Sequence, residues 1–85
     1  MTESTTVTVY TREECHLCED AIEAVRQVAD AVPHEVEVDL VDVDSNPSLR
    51  EAYGERVPYG LVDGRPAFKF RVDPDALRVR LLEAD

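Results

Sequence analysis

Within its first 44 residues the apolar period of this chain runs from two to between three and four and back to two, and that alternation leaves few folds open. Thr5 to Tyr10 (TTVTVY) alternates Val7 and Val9 with threonines, residues that suit a pleated, half-buried surface, and so predicts a first strand. Cys18, Ile22, Val25, Ala29 and Val32 then recur four and three apart, one face of a helix running from Cys15 or His16 to Ala31. Glu19 and Asp20 in its first turn suit the positive end of the helix dipole, and Pro33 ends it. Glu35 to Asp44 (EVEVDLVDVD) alternates acidic residues with Val36, Val38 and Leu40, then shifts phase at Val41; it predicts a second strand, bulged or ending there. Strand, helix, strand is the unit that joins two parallel strands by a right-handed crossover.

The second half changes character. Asn46 and Pro47 read as a cap and first position of a short helix with Leu49, Ala52 and Tyr53 inward and Gly54 as terminator. Tyr59 to Val62 and Pro66 to Val72 flank Asp63 and Gly64, a tight hairpin signal. Phe68, Phe70 and Val72 would share one face of the second of these strands, and Lys69 and Arg71 the other. Asp73 and Pro74 repeat the cap-then-proline pair, and Leu77, Leu81 and Leu82 stripe a last helix. The expected fold is α/β, in the order β, α, β, α, β, β, α, with a four-stranded mixed sheet flanked by three helices. A chain of 85 residues suffices for one such domain, 1–85, and not for two.

Charge narrows the partners. Nineteen acidic residues against nine basic ones, eight of them Arg with Lys69 the exception, give a net charge of −10. That surface repels phosphate backbones and anionic lipid heads, which argues against nucleic acid or a membrane as partner. Salt screening relieves the self-repulsion of such a surface, so an acidic, salt-adapted (halophilic) source is expected, with an ordinary acidic protein as the alternative. No apolar run reaches the roughly 20 residues of a membrane helix. Met1 to Thr6 lacks the basic start and apolar stretch of a secretory signal, so the expected location is cytoplasmic, where thiols are kept reduced.

Two cysteines in that setting point to reactivity. Cys15 and Cys18, in CHLC, lie where the first strand hands over to the first helix. Residues three apart in a first helical turn lie on one side and can open and close a disulfide with little backbone change. Cys15 is at the helix tip and Cys18 begins the apolar stripe, which makes Cys15 the nucleophile and Cys18 the resolving thiol. Unpaired backbone N–H groups and the helix dipole stabilise a thiolate there. Arg12 and protonated His16 act in the same direction; Glu13, Glu14, Glu19 and Asp20 act against it. The alternatives are two buried structural thiols, or a metal or iron–sulfur adaptor. For the latter, CHLC and distant His34 fall short of four ligands, so a second subunit would have to contribute. An X–Pro bond at Val57 and Pro58 is either cis, offering the Val57 backbone to an extended substrate, or an ordinary strand-starting proline. Tyr10 either borders the site or packs, and His16 either tunes the potential or faces water.

With YTREECHLC (Tyr10 to Cys18) and Val57–Pro58 in place, the chain resembles the glutaredoxins and small glutaredoxin-like proteins of the thioredoxin superfamily, over nearly its whole length. Tyr10, Thr11 and Arg12 fill the places of the family's tyrosine, small hydroxyl residue and basic residue, and His16 replaces its proline. The resemblance implies a thioredoxin-like fold with a minimal glutaredoxin core. It also implies the same thiol roles, a cis-proline at Pro58 opposite the thiols, and substrate contacts from Tyr10, Arg12, His16, Val57 and Pro58. The family's glycine pair, where the γ-glutamyl end of glutathione binds, is missing from FRVDPD (Phe70 to Asp75). The expected activity is therefore thiol–disulfide exchange by a monomer, with no cofactor or metal beyond its own sulfurs. Its partners would be an electron donor and either a disulfide-containing protein or a small thiol such as glutathione.

Overall fold

The computed structural model describes Thr5 to Glu83; residues 1–4 and 84–85, the ends of the expected domain and most of the segment read for a signal, lie outside the described residues. Strand β1 (Thr5–Thr11) leads into helix α1 (His16–Ala31), then strand β2 (Val36–Asp42), a single 3-10 turn (Val43–Ser45) and helix α2 (Pro47–Tyr53). Strands β3 (Tyr59–Val62) and β4 (Arg65–Lys69) and helix α3 (Pro74–Glu83) complete the order βαβαββα. The sheet runs β2-β1-β3-β4, with β1 parallel to β2 and the other neighbours antiparallel. This is the four-stranded mixed sheet and three helices of the thioredoxin-like layout.

The two sheet faces are built differently. Val7 and Val9 of β1 and Val62 of β3 meet Val25, Val28 and Val32 from α1 and its end, and Leu77 and Leu81 of α3, in one core. Tyr10 of β1 and Tyr59 of β3 are cross-strand partners on the other face, where Tyr53 at the end of α2 stacks on Tyr10. Helix α1 buries Cys18, Ala21, Val25 and Val28, a wider face than the expected stripe, in which Ala29 is only half-buried. Helix α2 buries no residue fully, and its expected inward Ala52 is exposed, as is Leu82 of α3. Among the described residues no helix is long and apolar enough to cross a membrane.

Two strand limits differ from expectation, each for a visible reason. Strand β2 stops at Asp42 rather than Asp44, because the Asp42 carboxylate accepts the Asp44 N–H at 2.9 Å and turns the chain into the 3-10 turn. Its phase shift is no bulge, since pairing with β1 is unbroken from Thr5–Val36 to Thr11–Asp42. Val41 instead lies beside Tyr10, on the α2 face. Strand β4 stops at Lys69 rather than Val72. Phe70 takes φ 69°, its N–H donates to the Pro58 carbonyl at 2.7 Å, and the alternation of Phe68, Phe70 and Val72 is broken. Phe68 and Val72 pack on the core while Phe70 is 43% exposed. The hairpin tip is as expected: Asp63 and Gly64 both have positive φ, the twist that two-residue hairpins favour. Asp63 also exchanges hydrogen bonds with the Thr6 backbone, at 3.0 and 2.9 Å.

Candidate functional site

The site is assembled at the end of β1. Glu14 takes φ 55°, turning the chain so that Cys15 arrives in extended conformation as the N-cap of α1. Its sulfur does what an N-cap oxygen usually does, accepting the Cys18 N–H at 3.2 Å, and its carbonyl starts the helix by accepting from the Glu19 N–H at 3.0 Å. Cys15 and Cys18 are joined as a disulfide with Cα atoms 5.2 Å apart. The two sulfurs differ in access: Cys15 is half-buried, whereas Cys18 is 1% exposed and is packed into the protein. Attack at one thiol and resolution from the other requires unequal access of this kind.

Val57 and Pro58 stand next to this end of the sheet by topology. They immediately precede Tyr59, whose cross-strand partner is Tyr10, five residues before Cys15. The Val57–Pro58 peptide is cis, and Pro58 is buried with its carbonyl held by the Phe70 N–H. Tyr10 belongs to a cluster of all three tyrosines: its ring stacks on Tyr53 at 4.4 Å between centroids, and Tyr59 lies 5.1 Å from Tyr53. Burial, then the neighbouring Tyr53, Asp39 and Tyr59, pushes the Tyr10 phenol above its ordinary pKa. His16 is almost fully solvent-exposed, 3.5 Å from the Glu19 carboxylate.

Arg12 is engaged away from the sulfurs. Its guanidinium makes a two-pronged contact with Asp44, at 2.8 and 3.2 Å, and donates to the Gly54 carbonyl at 2.9 Å. The guanidinium thus fastens the loop before the cysteines to the turn that precedes α2 and to the residue that follows it. Hydrogen bonding from Arg12 first, and then the charges of Arg12 and Arg50, holds the Asp44 carboxyl below its ordinary range although partial desolvation opposes this. A cavity of about 460 Å³ opens beside it, lined by Arg12, Arg50, Glu51, Gly54, Glu55 and Arg56. His34 lies at the opposite end of the sheet, its Nε2 3.2 Å from the Thr5 hydroxyl, and so is not brought to the cysteines. Among the described residues no three or more His, Cys, Asp or Glu side chains are grouped to hold a metal.

Sequence reasoning missed Asp44 and Gly54 as the partners of Arg12, and Tyr53 and Tyr59 as those of Tyr10. The pairing of Tyr10 with Tyr59 was within reach of a strand register; the Arg12 contacts span 32 and 42 residues and left no local signal.

Comparison with known proteins places this arrangement. The model of the glutaredoxin-like domain (DUF836) matches residues 6–82. A Mycobacterium tuberculosis protein, uncharacterised, is 31% identical over 75 residues, covering 85% of this chain and 77% of its own. The crystal structure of the Xanthomonas protein XcR50 (X. campestris) superposes with a TM-score of 0.74 at 35% identity, covering 93% of this chain and 99% of that one. A thioredoxin from Halobacterium salinarum, in a mutant form, gives a TM-score of 0.65 at 27% identity over 91% of this chain and 71% of its own.

Proposed function

Because the chain belongs to the glutaredoxin-like domain family, of thioredoxin-like fold and redox type, we propose that it is a thiol–disulfide oxidoreductase moving two electrons through Cys15 and Cys18. The observation that carries this reading is the unequal pair: a half-buried Cys15 sulfur capped by a backbone N–H, bonded to a Cys18 that is 1% exposed.

In the reduced protein the Cys15 thiolate attacks one sulfur of a substrate disulfide. A mixed disulfide forms and the other substrate sulfur leaves as a thiolate, which takes a proton from water. Cys18 then loses its proton and attacks the Cys15 sulfur, expelling the second substrate thiolate. The substrate has gained two electrons, and the Cys15–Cys18 disulfide remains. A thiol or dithiol donor returns the pair to the reduced state by the same steps reversed. The chemistry needs no group beyond the two sulfurs, and we take the working form to be a cytoplasmic monomer. Val57, next to the cis peptide, supplies backbone to pair with an extended substrate, and Tyr10 and His16 flank its approach.

The test is a pair of single substitutions. Cys15→Ser should abolish disulfide reduction, and Cys18→Ser should accumulate a mixed disulfide visible as an added mass. Retained turnover in Cys15→Ser overturns the assignment. Running the native protein with glutathione and with a thioredoxin-type reductase identifies the donor.

A further inference from the structure

An apolar groove lies against the first turns of α1, the helix that carries the redox pair. Leu17, between the two cysteines, is 50% exposed, and Phe70, across from it, is 43% exposed. Between them lies a groove of about 260 Å³ lined also by Ala21, Ala24 and Val72, with Asp20 and Arg71 as its polar members. The fold holds Phe70 in this position: with φ 69° and its N–H on the Pro58 carbonyl, the residue leaves the strand alternation that buries Phe68. A groove of this size falls just under the range of about 300–1,000 Å³ typical of whole small-molecule pockets, and suits one side chain of a larger ligand.

Charge selects which larger ligand. Glu13, Glu14, Glu19 and Asp20 are all exposed around the cysteines, and Asp73 and Asp75 follow the Phe70 wall. The Asp73 carboxylate accepts from the Asp75 and Ala76 N–H groups at 3.1 and 3.3 Å, capping α3. Against these stand Arg71 in the groove, Lys69 with its ammonium 5.3 Å from the centre of the Phe70 ring, His16 beside Glu19, and Arg12, whose charge is matched by Asp44. The whole chain carries −10. A doubly carboxylated small disulfide meets repulsion at this surface, and a basic chain is drawn to it.

We propose that the groove between Leu17 and Phe70 docks an apolar side chain adjacent to a cysteine of a basic polypeptide. The disulfide substrate is then a cationic protein or peptide rather than a small anionic thiol. This rests on the thiol–disulfide reading above and names its substrate class.

The experiment follows single-turnover oxidation of the pre-reduced protein, quenched by alkylation. The oxidants are two peptides, each closed by one disulfide with a leucine beside one cysteine, flanked by arginines in one and glutamates in the other. Neutral bis(2-hydroxyethyl) disulfide is the reference. The arginine peptide should react at least about tenfold faster than the glutamate peptide at low salt, and the gap should shrink in molar KCl. Phe70→Asn, which suits the left-handed backbone, and Ala24→Gln, which fills the groove, should each lower the ratio of arginine-peptide rate to reference rate roughly tenfold. Equal rates for the two peptides, or an unaltered ratio in both variants, overturn the proposal. If no disulfide, reference included, oxidises the protein, the redox reading fails. The groove is then decided by fluorescence anisotropy with a labelled arginine peptide carrying serines for cysteines. Weaker binding by Phe70→Asn and by glutamate flanks supports the groove, and no difference refutes it.

Discussion

Gly60→Ala is a small change with a large expected cost. Gly60 lies across from Phe68, and a methyl group added there would stand 2.6 Å from Phe68 Cδ2 and closer still to Cε2 and Cζ. Carbon atoms pack at about 3.5–4.0 Å, so the ring has to move by roughly an ångström or more. It is packed on the core formed by α1, α3 and the sheet, and the β3–β4 pairing already slips between Gly60 and Leu61, which leaves little slack. Overpacking costs about 1–3 kcal/mol, and swinging a half-buried phenylalanine outward forfeits about 1 kcal/mol more. Alanine recovers about 0.5 kcal/mol by stiffening the unfolded chain, since Gly60 needs no positive φ. The net loss is about 1.5–3.5 kcal/mol. At about 4–8 °C per kcal/mol for a domain of this size, Tm should fall by about 6–28 °C. Phe68→Leu alone should cost about 1 kcal/mol, and in its background Gly60→Ala should cost little, a coupling of at least about 1 kcal/mol. Urea and thermal unfolding of the four proteins measure this. If the single losses simply add, or Gly60→Ala melts within about 2 °C of the native chain, the steric argument is wrong.

Three further outcomes are expected. A depressed folded pKa stabilises a protein above the unfolded value, 3.8 for an ordinary aspartate here, and the contribution disappears as pH falls through the folded value. Asp44→Asn should therefore flatten the acid limb of Tm against pH below about 4, and an unchanged limb would contradict the Arg12 pairing. Tyr10 shifts upward, so its contribution is present below the unfolded value near 10 and is lost as pH rises through the folded one. Tyr10→Phe should remove a phenol that ionises above the ordinary value in an ultraviolet titration and hold Tm better in alkali; loss of a phenol ionising at the ordinary value would count against the burial argument. With a charge of −10, Tm should climb steadily from low to molar KCl, and a flat profile would dismiss salt adaptation.

Much of this architecture is legible in the chain because the signals are local. Val7 and Val9, the α1 period, the Asp63–Gly64 turn, and the caps at Asn46 and Asp73 each act over a few residues, and each has the expected role. What the sequence hides is decided at a distance. Phe70 follows Phe68 in perfect alternation, yet a carbonyl twelve residues earlier draws its N–H and ends the strand. Val41 breaks the pattern of β2 because it pairs with Tyr10, on the face where the tyrosines cluster, while Leu40 on the other face is left exposed. Ala21 and Val28 are buried because α1 packs against both the sheet and α3, which widens its inner face. At the site, the cysteine pair and the Val57–Pro58 step were visible. The guanidinium fork on Asp44 and Gly54 was not, since a charge in a sequence does not name its partner.

Cys18 lies out of reach, and that has a bearing on traffic through the molecule. Under dithiol exchange the reductant and the oxidant must both call at Cys15, so neither can be seated while the other is engaged. Their visits alternate, giving parallel double-reciprocal plots and mutual competition when either is in excess. Flux through such a one-door relay follows the balance between the two partner pools rather than the abundance of either.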